Sequence, residues 1–112
     1  MKKPQIIDMT HSENQVDIRL KISADLDYFQ GHFVEQPILP GVAQLDFVID
    51  FAQKIWSIDK KNIKAILQLK FIRVILPDDR LTLVLKRHEE MLSFHYSDNV
   101  GRMVSMGKIR VR

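Results

Sequence analysis

Residues 41–56 constrain the fold most, because they predict a helix that is apolar on nearly every side. Pro40 and Gly41 open this helix, since proline lacks only an N–H that the first helical turn does not use. Spacings of three and four residues predict one main buried stripe, made of Val42, Leu45, Ile49, Ala52 and Trp56. A helix of this kind has to be wrapped by other structure.

The rest of the sequence predicts strands. Residues 15–23 alternate strictly between apolar and polar side chains, as in a half-buried strand. After the helix, a meander of four strands is predicted over residues 63–71, 80–87, 92–97 and 102–111. In the first of these, the odd-numbered apolar residues from Ile63 to Phe71 share one face, and a change of phase predicts a bulge near Phe71. A short strand near Gln5–Asp8 is a further candidate.

Together these elements predict an α+β fold, with residues 1–112 as a single domain in which an antiparallel sheet curls around one helix. Residues 76–80, LPDDR, form a predicted turn between two strands. One helix cannot cover both faces and both edges of such a sheet. Pairing between two copies would remove an exposed edge strand, so we expect at least a homodimer.

Composition narrows the class of protein. No apolar run reaches the ~18 residues of a membrane span, and the first residues lack an apolar signal region, so no membrane span is expected. The absence of cysteine excludes disulfides, a thiolate nucleophile and a zinc–thiolate site, and it suits a reducing cytoplasm. The net charge of +3 comes from scattered basic residues. This pattern argues against nucleic acid and suits an acidic protein partner.

His32 is the histidine with the strongest case for a chemical role. It lies in the apolar, proline-punctuated stretch FQGHFVEQPILPGV, residues 29–42. Burial would keep an unpaired imidazole neutral, as a general base requires, although a histidine in such a loop can also be purely structural. His11, His88 and His95 are predicted to lie at the surface.

Asp46 is the second candidate, because it borders the predicted buried stripe of the helix. It either belongs to a structural network, reaches the surface, or keeps its proton and acts as an acid. A base and an acid in one apolar environment suit removal of a proton at one carbon and loss of a hydroxyl at the next. The free N–H groups at Gly41 would stabilise the oxyanion next to the carbanion.

Two stretches resemble a known family. YFQGHF, residues 28–33, and PILPGV, residues 37–42, are similar to the signature of hotdog-fold β-hydroxyacyl-ACP dehydratases of fatty-acid synthesis, where ACP is acyl carrier protein. Asp46 occupies the place of the acidic residue that follows the glycine of this signature. LKFIRVILPDDRLTL also resembles the later strand–turn–strand of the family. The similarity runs from about residue 15 to the end of the chain.

The resemblance implies a hotdog fold and assigns roles by position. His32 takes the α-proton of a 3-hydroxyacyl thioester, Asp46 positions and protonates the departing hydroxyl through a shared water, and the Gly41 N–H holds the thioester carbonyl. His32 and Asp46 of one site come from opposite protomers of the dimer. The substrate arrives on acidic ACP, and no cofactor or metal is expected.

The resemblance also makes Phe29, Phe33 and Val42 candidate substrate-binding residues, since the acyl chain lies in an apolar tunnel along the interface. Three departures stand out: Val34 replaces a proline, the turn at Asp78 lacks a glycine, and the acid is aspartate, which by itself does not show isomerase activity. PILPGVAQLD is similar to a subgroup of aryl-polyene or other specialised lipid pathways. A hotdog acyl thioesterase and a non-catalytic partner subunit of a heterodimeric dehydratase are the alternatives.

Overall fold

A computed structural model of the chain describes residues 2–30 and 36–112. These residues form one long helix and six strands: β1 Gln5–His11, β2 Gln15–Lys21, α1 Gly41–Trp56, β3 Ile63–Phe71, β4 Arg80–His88, β5 Met91–Asp98 and β6 Met103–Val111. Short 3-10 turns occur at Asp27–Phe29 and Lys60–Asn62. No helix within the described ranges is long and apolar enough to cross a membrane. The predicted strands and the predicted helix are confirmed, and β1 extends to His11.

The six strands form one antiparallel sheet in the order β1-β2-β4-β5-β6-β3. The prediction of a four-stranded meander is therefore wrong, because β3 pairs with β6 and only β4, β5 and β6 are consecutive neighbours. The segment 72–79 carries the chain across the end of the sheet, where Ile22 donates its N–H to the Asp79 carbonyl at 2.9 Å. This contact places β4 beside β2. The edges of the sheet are β1 and β3.

The core lies between α1 and one face of the sheet. Alternation in β2 is confirmed, since Val16, Ile18 and Leu20 are fully buried. Of the predicted stripe on α1, only Ala52 is fully buried, and the rest of the prediction is wrong. The buried positions are Ala43, Gln44, Phe47, Val48, Phe51 and Ala52. Val42, the first residue of the predicted stripe, is 61% exposed. A helix that is apolar nearly all round has no unique stripe in its sequence, so packing against the sheet selects the face.

Strand β3 contains two irregularities, and the second lies directly before Phe71, close to the predicted bulge. The register with β6 shifts between Ile63 and Ala65 and again between Leu67 and Lys70, where Gln68 has a φ of 52°. The prediction that odd-numbered residues share one face is therefore wrong. Cross-strand partners lie on the same face. Ile66 and Phe71 are partnered by Ile109 and Ser105, which are buried on the helix side.

The predicted turn at 76–80 is confirmed, with a residue that compensates for the missing glycine. Asp78 has a φ of 69°, in the left-handed region that aspartate tolerates better than most residues. Its N–H donates to the Ile22 carbonyl at 2.6 Å, and the Asp79 carboxylate accepts the Leu76 N–H at 2.8 Å. An aspartate pair thus closes the turn without glycine.

Two buried hydrogen bonds attach α1 to the sheet. The Tyr96 hydroxyl donates to the Gln44 carbonyl oxygen at 2.7 Å, and the Ser105 hydroxyl donates to Gln44 Oε1 at 2.6 Å. All three residues are buried, so these polar groups have no access to water. Gln44 therefore fixes which face of the helix meets the sheet.

We predict that Ser105→Ala lowers the free energy of unfolding by about 1–3 kcal/mol, because it leaves the buried Gln44 Oε1 without a donor. Urea denaturation followed by circular dichroism measures this change. The matched control is Ser93→Ala, at a half-buried serine of β5, with an expected change within about 0.5 kcal/mol. Equal changes in both variants would show that the Gln44 contact does not anchor the helix.

Candidate functional site

The segment with the predicted catalytic base is not part of the described structure. His32, Phe33 and Val34 lie outside residues 2–30 and 36–112. Their assignments as base, substrate contact and departure from the family signature remain predictions. The described part of the site is built around Asp46 and Gly41, both on α1.

Asp46 is half-buried on α1 and is held by a tyrosine distant in sequence. The Tyr28 hydroxyl donates to Asp46 Oδ2 at 2.9 Å. Tyr28 lies in the 3-10 turn Asp27–Phe29, and its ring meets Phe47 edge to face, with centroids 5.8 Å apart. This bond joins the chain just before the predicted catalytic loop to the helix with the predicted acid. The sequence analysis missed this role, because no local spacing links two residues 18 positions apart.

The electrostatics of this pair favour a protonated phenol. Burial raises the pKa of Tyr28 above its ordinary value, and the hydrogen bond to Asp46 and the negative charges of Asp46 and Asp27 add to this effect. The phenol therefore keeps its proton at neutral pH, and its O–H group remains a hydrogen-bond donor to Asp46. A neutral donor of this kind holds one oxygen of Asp46 in place and leaves the other for a ligand.

A cavity of about 310 Å³ lies beside Asp46, and Tyr28 and Phe47 contribute to its wall. Asp50, one turn further along α1, has a different environment. Burial raises its pKa, but hydrogen bonds from Lys3 at 3.1 Å and Lys54 outweigh burial and hold the pKa below its ordinary value. Asp46 has no such ion pair with any described residue. Of these two acidic residues, Asp46 is the one without a positively charged partner among the described residues.

Gly41 begins α1, and Pro40 before it contributes no side-chain cap. The first N–H groups of a helix have no acceptor within the helix. The ring of Phe71 packs directly on this point, since a Cβ at Gly41 would lie 2.6 Å from Phe71 Cζ. Glycine is thus required by a close contact from β3 as well as by the predicted approach of a ligand. Phe71, which is 48% exposed, is a second neighbour of the site that the sequence analysis did not identify.

The two described parts of the site lie on different sides of α1. A helix turns by about 100° per residue, so Gly41 and Asp46 are separated by about 140° around the axis. Phe29 is half-buried against the core, and Val42 is largely exposed. The described residues of one chain therefore do not surround a single closed pocket that contains both Gly41 and Asp46.

The other histidines keep outer positions. His11 ends β1 and is exposed rather than lying in a loop, and His88 is exposed at the end of β4. His95 is half-buried within β5. Burial lowers the pKa of His95, and the charge of Lys86 lowers it further, against an opposing effect of Asp17. None of these three lines the cavity beside Asp46.

The comparisons with known proteins agree with this architecture. The chain belongs to a class of hotdog-fold dehydratases. Within that class it belongs to the ApeI-like family, described as ApeI dehydratase, which matches residues 8–108. A curated relative, the 3-hydroxyacyl-[acyl-carrier-protein] dehydratase FabZ of Clostridium botulinum (strain Eklund 17B / Type B), is 35% identical over 68 residues, or 55% of this chain. The match covers 48% of that relative, so the chain spans about half of its length.

Two solved structures are similar over almost the whole chain. The dehydratase heterocomplex ApeI:P from Xenorhabdus doucetiae is 33% identical, with a TM-score of 0.87 and coverage of 98% of this chain and 99% of the other. An uncharacterized protein from Erwinia carotovora subsp. atroseptica is 36% identical, with a TM-score of 0.82 and coverage of 97% and 95%. The hotdog fold expected from the sequence is confirmed.

We predict that Tyr28 makes the protein lose stability at alkaline pH. Its raised pKa means that the folded state holds the phenolic proton more tightly than the unfolded state, so its contribution is full below the ordinary value of 10.0 and is lost as pH rises through the folded value. Tyr28→Phe therefore flattens the fall in unfolding free energy between about pH 9 and about pH 11. Urea denaturation across this range measures both slopes, with Tyr96 present in both proteins. Parallel slopes would contradict the assignment.

Proposed function

We propose that this protein removes water from a 3-hydroxyacyl-ACP thioester and forms the trans-2-enoyl-ACP. One observation carries the proposal: in a chain of the ApeI-like dehydratase family, the acidic position on the central helix is an aspartate that is held by a tyrosine hydroxyl and forms no ion pair with a described residue. A carboxyl group that is oriented but not ion-paired is suited to proton transfer. An aspartate tied to lysines, as Asp50 is, would be a poorer proton donor.

The proposed reaction uses three groups of the chain. His32 accepts the α-proton, and the electron pair of the broken C–H bond forms the new C=C bond. The C–O bond to the hydroxyl breaks at the same time or afterwards, and the hydroxyl leaves as water with a proton that Asp46, in its protonated form, delivers through a shared water. The proton that His32 has taken up returns to Asp46 by way of solvent before the next turnover. The Gly41 N–H, at the positive end of α1, stabilises the negative charge that develops on the thioester carbonyl oxygen.

The substrate-binding roles of Phe29, Phe33 and Val42 belong to the same proposal. Val42 is 61% exposed at the start of α1, beside Gly41. An apolar side chain that is open to solvent next to the proposed carbonyl site is suited to contact an acyl chain. Phe29 packs against the core, and it lies close in sequence to His32, the proposed base.

A homodimer is part of the proposal, because the helix leaves one sheet edge uncovered. The side chains of Ile66, Leu69, Phe71 and Val42, here called the β3 patch, are 36–61% exposed. The cross-strand partners of Ile66 and Phe71 place these two on the helix side of the sheet, near its free edge. A second copy on this edge would bury the β3 patch and bring a second helix to the site.

A second candidate function is supported by the similarity to the ApeI:P heterocomplex. In this case the chain is one subunit of a two-chain dehydratase, and the site requires a different partner subunit. The acyl thioesterase is the weaker alternative, since hydrolysis needs one group to activate water and this chain retains both proposed proton-transfer groups.

We also propose that the chain belongs to the subgroup of aryl-polyene or other specialised lipid pathways. A cytoplasmic location and the absence of a cofactor remain predictions.

We predict that His32→Ala and Asp46→Asn each reduce dehydration of a 3-hydroxyacyl-ACP by about 100-fold or more. Mass spectrometry of the carrier detects the loss of water directly. The matched control is Asp50→Asn, one turn from Asp46 on the same helix, which should keep near-normal turnover since exposed ion pairs contribute little to stability.

Each alternative has its own outcome in this assay. Release of free acid without loss of water would support the thioesterase. Inactivity of the pure chain, with dehydration restored by a second dehydratase subunit, would support the heterocomplex. Near-normal turnover of either the His32 or the Asp46 variant would contradict the assigned roles.

We predict that Ile66→Lys weakens self-association by at least about tenfold, because burial of an unpaired charge in the proposed interface is costly. Sedimentation equilibrium measures the monomer–dimer constant. Ile6→Lys is the control, since Ile6 has a similar exposure of 47% on β1, the opposite edge of the sheet. If only the Ile6 variant dissociates, the interface lies at the β1 edge and the proposed β3 interface is wrong.

A further inference from the structure

A second cavity, of about 570 Å³, opens beside the end of β3. It lies between the segment that follows β3 and the turn that joins β5 to β6. Its lining includes Ile72, Arg73, Val74, Arg80, Val100 and Arg102, here called the arginine groove. No described residue to which we assign a catalytic or substrate-binding role lines it.

The arginine groove carries uncompensated positive charge. Arg102 Nε donates to the Asp98 carboxylate at 2.8 Å, so these two charges offset each other. The carboxylate of Asp79, the other acidic residue of the lining, accepts a neutral backbone N–H at 2.8 Å and keeps its charge, so three arginines against two aspartates leave a net charge of +1. Arg73 and Arg80 form no ion pair with any carboxylate in residues 2–30 and 36–112. Two guanidinium groups are therefore free to bind an anionic partner.

The apolar part of the groove indicates a protein partner rather than a small anion. Ile72, Val74 and Val100 are 55%, 60% and 74% exposed. Exposed apolar side chains together with arginines are typical of a protein–protein interface. No aromatic side chain is among the described lining residues, whereas single-stranded nucleic acids are bound by aromatic stacking. The matching surface is acidic with exposed apolar residues.

The arginine groove is connected directly to the start of α1. Phe71, whose ring packs on Gly41, immediately precedes Ile72 in the groove wall. The same segment is tied to the loop before the helix, because the Leu39 N–H donates to the Ile75 carbonyl at 2.8 Å. A partner bound in the groove would therefore sit next to the helix end that carries the proposed carbonyl site.

We infer that the arginine groove docks the acidic carrier protein that bears the acyl thioester. The inference rests on the proposed function, since only a carrier-bound substrate needs such a surface. Arg73 and Arg80 would bind carboxylates on the carrier or the phosphate of its prosthetic arm, and Ile72, Val74 and Val100 would contact its apolar side chains. From there the flexible arm would run past Phe71 to Gly41.

A second copy of this chain is a poorer occupant of the groove. A symmetric dimer places the same patch of each copy in one interface, which would bring like-charged arginines together. The β3 patch offers a second copy an apolar surface without that repulsion. The two surfaces therefore suit different partners.

The test compares two forms of one substrate, a 3-hydroxybutyryl group on bacterial acyl carrier protein and the same group on pantetheine. We expect Arg73→Glu combined with Arg80→Glu to raise KM for the carrier-bound form at least about tenfold, with little change in kcat or in turnover of the pantetheine form. The matched control is Arg110→Glu combined with Arg112→Glu, two exposed arginines at the opposite end of β6. Binding of the carrier alone is measured by calorimetry for all three proteins.

Four outcomes separate the docking inference from the proposed function. An unchanged KM for the carrier-bound form in the groove variant, with active wild type, overturns the docking site and leaves the function intact. An equal rise in the control variant overturns it as well, since net charge alone would then suffice. A shift of the groove variant from dimer to monomer assigns the groove to a second copy. If the wild type dehydrates neither form, the proposed function fails, and calorimetry still decides whether the groove binds the carrier.

Discussion

The rotation of α1 about its own axis depends on Gln44, and the geometry of the site follows from that rotation. The helix is apolar on nearly all sides, so hydrophobic burial alone could be satisfied by several orientations. The hydrogen bonds from Tyr96 and Ser105 leave only one orientation in which both buried groups of Gln44 are satisfied. Asp46, two residues on, is about 200° around the helix and therefore points away from the sheet, where Tyr28 reaches it.

Asp46 and Asp50, one turn apart on this helix, differ in the side chains that contact them, and this difference decides which of them is suited to proton transfer. Asp50 is held by two lysines, and its charge is offset by theirs. Asp46 receives a neutral hydroxyl instead, which orients the carboxyl group without placing a positive charge beside it. The difference does not come from residue type or from helix position, which are nearly the same. Asp46 is contacted by Tyr28, which lies in a turn before the helix. Asp50 is contacted by Lys3, near the start of the chain, and by Lys54, in the last turn of the helix itself.

The sequence predicted the parts of the fold that depend on local alternation. The alternation of β2, the bounds of α1 and the turn at Asp78 were confirmed, because each depends on residues near to one another. The buried stripe of α1, the register of β3 and its pairing with β6 were wrong, since these depend on contacts across the molecule. Tyr28 and Phe71 were missed as site neighbours for the same reason. The roles of His32 and Phe33 stay predictions, because both lie outside the described residues.

The start of α1 brings the remaining features together. Phe71 covers Gly41 from β3, and the chain then leaves β3 and forms the wall of the arginine groove. On the other side of Phe71 lies the apolar edge that the helix does not cover. Exposed apolar area of this kind is costly in water unless another surface covers it, and unpaired arginines at a concave surface favour an acidic partner. The two surfaces adjoin each other at the start of α1, because Phe71 of the β3 patch packs on Gly41 and directly precedes Ile72 of the arginine groove.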